Sequence, residues 1–174
     1  VTGATGFTGS HTIPMLLEKG YELKCLVRPG RDQTELSSTK IEWAIGDLND
    51  LTSLKVAMQG CDVLVNIASL GFGHASNIIS AAHSAGIQRA IFISTTAIFT
   101  KLNAKSKQIR LAAEESIQKS DLAFTILRPT MIYGTPRDRN IWRLIRFIRK
   151  YPMIPVIGDG TNLQQPVFVE DVAQ

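Results

Sequence analysis

Val1-Thr2-Gly3-Ala4-Thr5-Gly6-Phe7-Thr8-Gly9 opens the chain, and the reading of these residues decides the fold. Val1 and Thr2 have the character of a strand end, three glycines come next at intervals of three, and a helical spacing of apolar residues begins after them. In a strand-to-helix turn each glycine has its own task. Gly3 permits the tight turn, Gly6 lets the backbone approach a bound pyrophosphate, and Gly9 lets the helix pack closely on the strand. The start of the helix adds unpaired N–H groups and the positive end of its dipole, both suited to phosphate. A glycine motif by itself also fits an ordinary turn, so its meaning depends on the rest of the chain.

From Phe7 onward the chain alternates short β-branched runs with longer stretches of helical period, the pattern of βαβ units and a parallel sheet. Strands are predicted at 21–27, 41–45, 63–67, 90–94 and 123–127, and helices at about 7–19, 50–59, 74–85, 106–119 and 138–150. Runs such as Val63-Leu64-Val65-Asn66-Ile67 do not alternate, as expected of strands covered on both faces. Gly20, Gly60 and Gly86 stand where a left-handed residue ends a helix, and Asp50 and Asp121 stand at element starts. Pro14 falls inside the first helix and removes a backbone hydrogen bond, so either a bend or a helix held by packing is expected there. The pattern predicts a doubly wound α/β domain of Rossmann type over 1–174, with a dinucleotide on the glycine loop.

The bulk of the chain agrees. Its 174 residues, 44% hydrophobic and 20% charged, suffice for one packed domain and are few for two. No apolar run approaches the roughly 18 residues of a membrane span, and no secretory start is visible, so a cytoplasmic location without membrane contact is expected. The opening on Val1 at a strand end, and the close at Gln174 where a helix begins, are read as those of a fragment. The net charge is +4, with Lys and Arg scattered and aromatics few, which argues against nucleic acid and suits an anionic small molecule. Cys25 and Cys61 read as buried reduced thiols. They and His11, His74 and His83 show no metal-ligand spacing, and no metal is expected.

The strand ending at Val27 leads into Arg28-Pro29-Gly30-Arg31, where an NAD-specific site places an acidic residue for the ribose 2′-OH. A guanidinium matches phosphate oxygens instead, so NADP is favoured, with NAD left open because Asp32 lies close by. Arg28 and Arg31 also fit as solvated loop cations.

Six segments together carry a resemblance: Thr2 to Gly9, Gly46-Asp47-Leu48, Asn66-Ile67-Ala68-Ser69, Ser94-Thr95-Thr96, Leu127-Arg128-Pro129-Thr130-Met131-Ile132-Tyr133-Gly134, and Gln165-Pro166-Val167-Phe168-Val169-Glu170-Asp171-Val172. In these the chain resembles the short-chain dehydrogenase/reductase superfamily, in the extended and atypical branch that includes NAD-dependent epimerase/dehydratases of nucleotide sugars. The resemblance implies that Gly3, Thr5, Gly6, Phe7, Thr8 and Gly9 hold the dinucleotide and that Asp47 and Leu48 meet its adenine. It implies further that Ala68 and Ser69 lie along the cofactor, that Pro129, Thr130, Met131 and Ile132 touch the nicotinamide side, and that the chain holds the start of a small C-terminal substrate-binding region. Asp47 fits equally as a helix cap before Asn49-Asp50.

Members of that superfamily orient the substrate with a Ser or Thr, and use a Tyr followed four residues on by a Lys as proton donor and its partner. Thr96 stands at the first position, and fits as an ordinary strand-end threonine too. Ser106 and Arg110 stand where the Tyr and Lys belong. A serine hydroxyl is too weak an acid and an arginine stays protonated, so the acid–base pair is absent. Lys101, Lys105 and Lys107 crowd the same segment and fit either as solvated charges or, in another register, as a lysine that reaches the site. Tyr133 reads as a packing or binding residue. Arg143 and Arg146 fit either a diphosphate contact or a solvated helix face. Two functions stay open: an oxidoreductase or isomerase acting on a small molecule such as a nucleotide sugar, and an NADP(H)-binding protein without turnover, in a redox-sensing or structural role. The resemblance also implies a homodimer through helices such as 74–85 and 106–119.

Overall fold

A computed structural model of the chain describes residues 1–31, 36, 40–101, 105–138, 141–151, 153, 158–161 and 163–174; Asp32 lies outside them. The alternation of the sequence becomes α1 (Phe7–Glu18), β1 (Leu23–Val27), β2 (Ile41–Ile45), α2 (Leu51–Met58), β3 (Val63–Asn66), α3 (Ala75–Ser84), β4 (Arg89–Ile93), α4 (Lys105–Gln118) and β5 (Ala123–Leu127). Then come β6 (Ile132–Tyr133), α5 (Ile141–Lys150), β7 (Val167–Phe168) and α6 (Val169–Ala173), with 3-10 turns at Leu70–Phe72 and Thr96–Phe99. Each predicted strand and helix is present: 41–45 and 123–127 match end to end, and the others differ by no more than three residues at either end. The two-residue strands β6 and β7 went unpredicted, being too short to leave a period.

All pairings are parallel: Leu23 faces Ile41 in β1·β2, Val63 faces Arg89 in β3·β4, and Arg89 faces Ala123 in β4·β5. Thr2 joins the two groups, bridging to Leu26 on one side and Asn66 on the other. The order is therefore β2, β1, Val1–Thr2, β3, β4, β5, and the chain turns outward in both directions from the segment that enters the glycine loop. Such a reversal opens a crevice at the carboxyl ends of the strands, which is where ligands bind in sheets of this kind.

Two apolar clusters cover the sheet. Ile13 of α1 packs with Leu23, Cys25 and Ile41 on one face. On the other, Leu54 of α2, Ile78 of α3 and Ile117 of α4 pack with Leu64 and Phe92, and Leu26 points into this second cluster. Leu26 lies between Cys25 and Val27, so the period of two along β1 sends neighbours to opposite faces. Phe92, Ile13, Leu54 and Ile117 are each buried to 0% exposure, and such side chains contribute about 1.5–3 kcal/mol apiece. The expected cover on both faces thins at β5, where Phe124 is 38% and Leu127 42% exposed, because β5 is the edge strand of this order.

Helix α1 continues through Pro14, which is exposed, while Ile13 and Thr12 anchor the buried side. The lost hydrogen bond therefore falls towards solvent, and packing holds the helix. Asp50 caps α2, accepting from the Thr52 N–H at 2.9 Å. Gly20, Gly60 and Gly86 take φ of +86°, +71° and +75° after α1, α2 and α3, the left-handed conformation read from their positions. Among the described residues no helix is long and apolar enough to cross a membrane.

Candidate functional site

The glycine loop is built by sterics. Gly3 has φ +72°, and a Cβ there would lie 2.7 Å from the Ala68 N atom at the end of β3. A Cβ on Gly9 would collide with Gly3 O and lie 2.6 Å from Ala4 O, so only glycine lets α1 sit this close to its own entry turn. Gly6 is less confined, its nearest neighbour being Gly3 O at 3.1 Å, and its side-chain direction is otherwise open. The loop closes with Gly6 N–H donating to Gly3 O at 2.9 Å. No side chain caps α1, and its first turn holds no acidic residue, so the positive end of the helix is presented bare.

Around this end lies a cleft of about 270 Å³. Of the residues read from the sequence it brings together Gly3, Thr5, Gly6, Arg28, Asp47, Leu48, Ala68 and Ser69. Phe7, Thr8 and Gly9 form the first turn of α1 beside it. Arg31, Asn49, Phe72 and His74 also line it, together with Thr2, Leu26, Val27 and Gly46. Phe72 and His74 were missed by sequence reasoning; their one signal was their place shortly after a strand end, which they share with many loop residues.

The cleft floor is tied by buried polar groups. Thr2 Oγ1 donates to Asn66 Oδ1 at 2.6 Å, and Asn66 Nδ2 donates to Ala68 O at 3.0 Å. These bonds satisfy a fully buried amide and place Ala68 against Gly3. On the opposite wall Asp47 Oδ1 accepts from Asn49 N at 2.8 Å and Asn49 Nδ2 at 2.9 Å. Those bonds, then the positive fields of His74 and Arg28, hold the Asp47 carboxyl below the usual carboxylate range. The reading of Asp47 as a helix cap is corrected: Asp50 takes that role, and Asp47 closes its own turn. Asn77 of α3 donates to Leu48 O at 3.1 Å and fixes this turn from behind.

The remaining predicted residues stand along the same carboxyl edge but outside the cleft. Thr96 N–H donates to Pro129 O at 3.0 Å and its hydroxyl approaches the same oxygen at 3.5 Å, which brings the segments after β4 and β5 together. Met131 O accepts from Val167 N at 3.0 Å and Ile132 pairs with Val167, so these two residues are held by β7. Ser106 and Arg110 lie on α4. The Arg110 guanidinium rests on Gly71, where an added Cβ would come within 2.9 Å of Cζ, so Arg110 faces the turn bordering the cleft. Lys107 is half-buried rather than solvated and donates to Thr100 O at 2.5 Å, tying α4 to the preceding 3-10 turn. The Tyr133 ring lies tilted against Phe168, centroids 5.6 Å apart, consistent with packing.

One ion pair at this edge was also missed. Glu114, 3% exposed, is held by Arg128 Nε at 3.0 Å and Nη2 at 2.6 Å. Burial pushes the Glu114 carboxyl up, but the Arg128 hydrogen bonds, with the nearby Ser94 hydroxyl and the arginine charge, outweigh it and hold the carboxyl below its ordinary value. Ser94 Oγ is buried beside the pair without completing a hydrogen bond of standard geometry.

The residues present fit a dinucleotide: a bare helix start, a glycine whose side-chain direction is open, and an arginine-bearing wall share one crevice. Comparison with known proteins agrees. The model of the NAD(P)H-binding family matches residues 3–144. The "Putative dihydroflavonol 4-reductase" of Synechocystis is 36% identical over 99% of this chain and 60% of its own length. The mitochondrial "NADH dehydrogenase [ubiquinone] 1 alpha subcomplex subunit 9" of Arabidopsis thaliana is 29% identical over 99% of this chain and 47% of its own. The chain thus spans about half to three-fifths of the length of these relatives. A solved structure described as "MoeE5 in complex with UDP-glucuronic acid and NAD" shares the fold with a TM-score of 0.77 at 24% identity, covering 99% of this chain and 68% of that one. The chain belongs to the NAD(P)H-binding family, within the extended short-chain dehydrogenase/reductase and epimerase/dehydratase superfamily.

Proposed function

We propose that the cleft takes NADP(H), with Arg28 on the 2′-phosphate, and that the whole protein is an oxidoreductase or isomerase of a small molecule, a nucleotide sugar being the first class to test. The observation that carries this reading is the meeting, in one crevice, of the bare start of α1 with Arg28, Arg31 and the Asp47–Leu48 turn. Asp47 already spends its carboxylate on Asn49, which leaves the arginines as the groups suited to the ribose end. A bound nicotinamide supplies hydride chemistry. The chain binds and orients it: Thr5, Phe7 and Thr8 at the pyrophosphate, Leu48 at the adenine, Ala68 and Ser69 along its length, Pro129 to Ile132 at the nicotinamide. Thr96 is the hydroxyl that would turn from Pro129 O to a substrate oxygen. The reductase name of the Synechocystis relative supports hydride chemistry, and the UDP-sugar of the structural neighbour and the net charge of +4 support an anionic substrate.

Ser106 and Arg110 favour a second reading, a dinucleotide held without turnover. The Arabidopsis relative, named as a subunit of a larger assembly, supports it. One experiment separates the two. The full-length protein is titrated with NADPH and NADH, then given a panel of nucleotide sugars while epimerisation and loss of NADPH absorbance are followed. NADPH binding with turnover is the expected result. Binding without turnover across the panel selects the second reading, and binding of neither cofactor overturns both.

A further inference from the structure

We propose that Arg137, from the segment between β6 and α5, is a clasp on the cofactor's pyrophosphate, closing over the glycine loop from the far end of the chain. The proposal rests on the dinucleotide reading and adds to it a residue that the motif does not contain. Arg137 Nη2 donates to Thr5 O at 3.1 Å and Nη1 approaches Ser10 Oγ at 3.5 Å, across 132 and 127 residues of sequence. Its guanidinium thus lies against the glycine loop at Thr5 and the first turn of α1 at Ser10.

That placement runs against what stabilises a helix. A cation is unfavourable at the positive end of a helix dipole, where an acidic residue is the stabilising choice. α1 has no acidic residue in its first turn and no capping side chain, and receives an arginine instead. The Thr5 carbonyl, with the other contacts Arg137 makes, offsets part of the repulsion. An anion lying between the helix start and the guanidinium offsets all of it, and a pyrophosphate presents oxygens to both. The planar fork of an arginine suits that geometry better than a point charge would.

The backbone that carries Arg137 is anchored. Asp138, 6% exposed, accepts from Trp142 N at 2.9 Å, and its own N–H donates to Thr135 O at 3.0 Å. Gly134 is seated so closely on Val169 and Phe168 that a Cβ there would come within 2.7 Å of the valine. The arginine is therefore presented by a fixed base, and its engagement ties the segment leading into α5 to the cofactor loop.

The test uses the full-length protein and three ligands: NADP⁺, ADP-ribose, which keeps the pyrophosphate, and adenosine 2′-monophosphate, which lacks it. Arg137→Gln is expected to weaken NADP⁺ and ADP-ribose about tenfold by calorimetry, to leave adenosine 2′-monophosphate unchanged, and to leave the unliganded Tm unchanged or raised. Arg137→Lys, which keeps the charge and loses the fork, is expected to fall between. Unchanged affinity for NADP⁺ and ADP-ribose in Arg137→Gln overturns the clasp. So does a lower unliganded Tm with the ligand-induced gain in Tm preserved, since that marks a surface strap only. Failure of the unsubstituted protein to bind NADP⁺ or NAD⁺ is a separate result, which overturns the cofactor reading itself.

Discussion

Arg128 grips Glu114 through two nitrogens, Nε at 3.0 Å and Nη2 at 2.6 Å from the same carboxylate oxygen. The pair joins the end of β5 to α4, the helix that carries Ser106 and Arg110. The Phe99 ring lies 5.9 Å from the Arg128 guanidinium carbon, so the turn that begins at Thr96 is drawn into the same cluster. Three segments of the carboxyl edge are thereby held in register by one buried carboxylate.

Removing one partner of such a pair strands the other. Arg128→Ala leaves Glu114 buried without its cation and is expected to destabilise the fold by about 3 kcal/mol, the lower end of the usual range because the Arg128 side chain is 36% exposed. Replacing both with apolar residues of similar volume, Glu114→Leu with Arg128→Met, is expected to recover most of the loss. Urea unfolding of the single and double variants measures both; a loss under about 0.5 kcal/mol in Arg128→Ala would place the pair with ordinary surface ion pairs.

The same carboxylate makes stability depend on pH. Its folded pKa lies below the ordinary value of 4.5, so the unfolded chain takes up the proton first as pH falls. The stabilisation is present above 4.5 and is lost as pH drops through the folded value. Glu114→Gln is expected to flatten the acid limb of a stability profile recorded from about pH 7 to 3. A limb identical to that of the unsubstituted chain would assign the acid sensitivity to other carboxylates.

The three glycines of the loop differ in what they protect. Gly9→Ala forces a Cβ onto Gly3 O and Ala4 O, and is expected to lower stability and dinucleotide binding together. At Gly6 the side-chain direction is open apart from Gly3 O at 3.1 Å, so Gly6→Ala is expected to keep stability within about 1 kcal/mol while weakening NADPH at least tenfold. Thermal unfolding and NADPH titration of the two variants decide it. Equal losses of stability would show that Gly6 serves packing rather than ligand approach.

Cofactor preference is expected to follow Arg28. Arg28→Ala should reduce the ratio of NADPH to NADH affinity at least tenfold, and Arg28→Glu should reverse it, because a carboxylate accepts from a ribose 2′-OH and repels a 2′-phosphate. A ratio unmoved by either change would assign the ribose end to Arg31 or leave the site indifferent to the phosphate.

Much of this was legible in the residues. The glycine loop could be read because its requirements are local: a positive φ at Gly3 and the closeness of Gly9 to its own turn involve neighbours a few positions away. Strands such as Val63–Asn66, the Asp50 cap and the left-handed Gly20, Gly60 and Gly86 arise from the same short-range rules. Asp47 shows where local reading divides. Two acidic residues stood near one helix start, and only the backbone geometry made Asp50 the cap and Asp47 the closer of its own turn.

The sequence by itself thus determined a parallel, doubly wound sheet and the glycine turn at its centre, since each rests on residue type and on spacings of a few positions. Only the tertiary structure decided which distant residues meet: Phe72 and His74 in the cleft, Arg110 on Gly71, Arg128 on Glu114, and Arg137 on Thr5. Periodicity carries no record of those meetings. They are set by the order and twist of the strands, which bring together groups separated by as many as 132 residues.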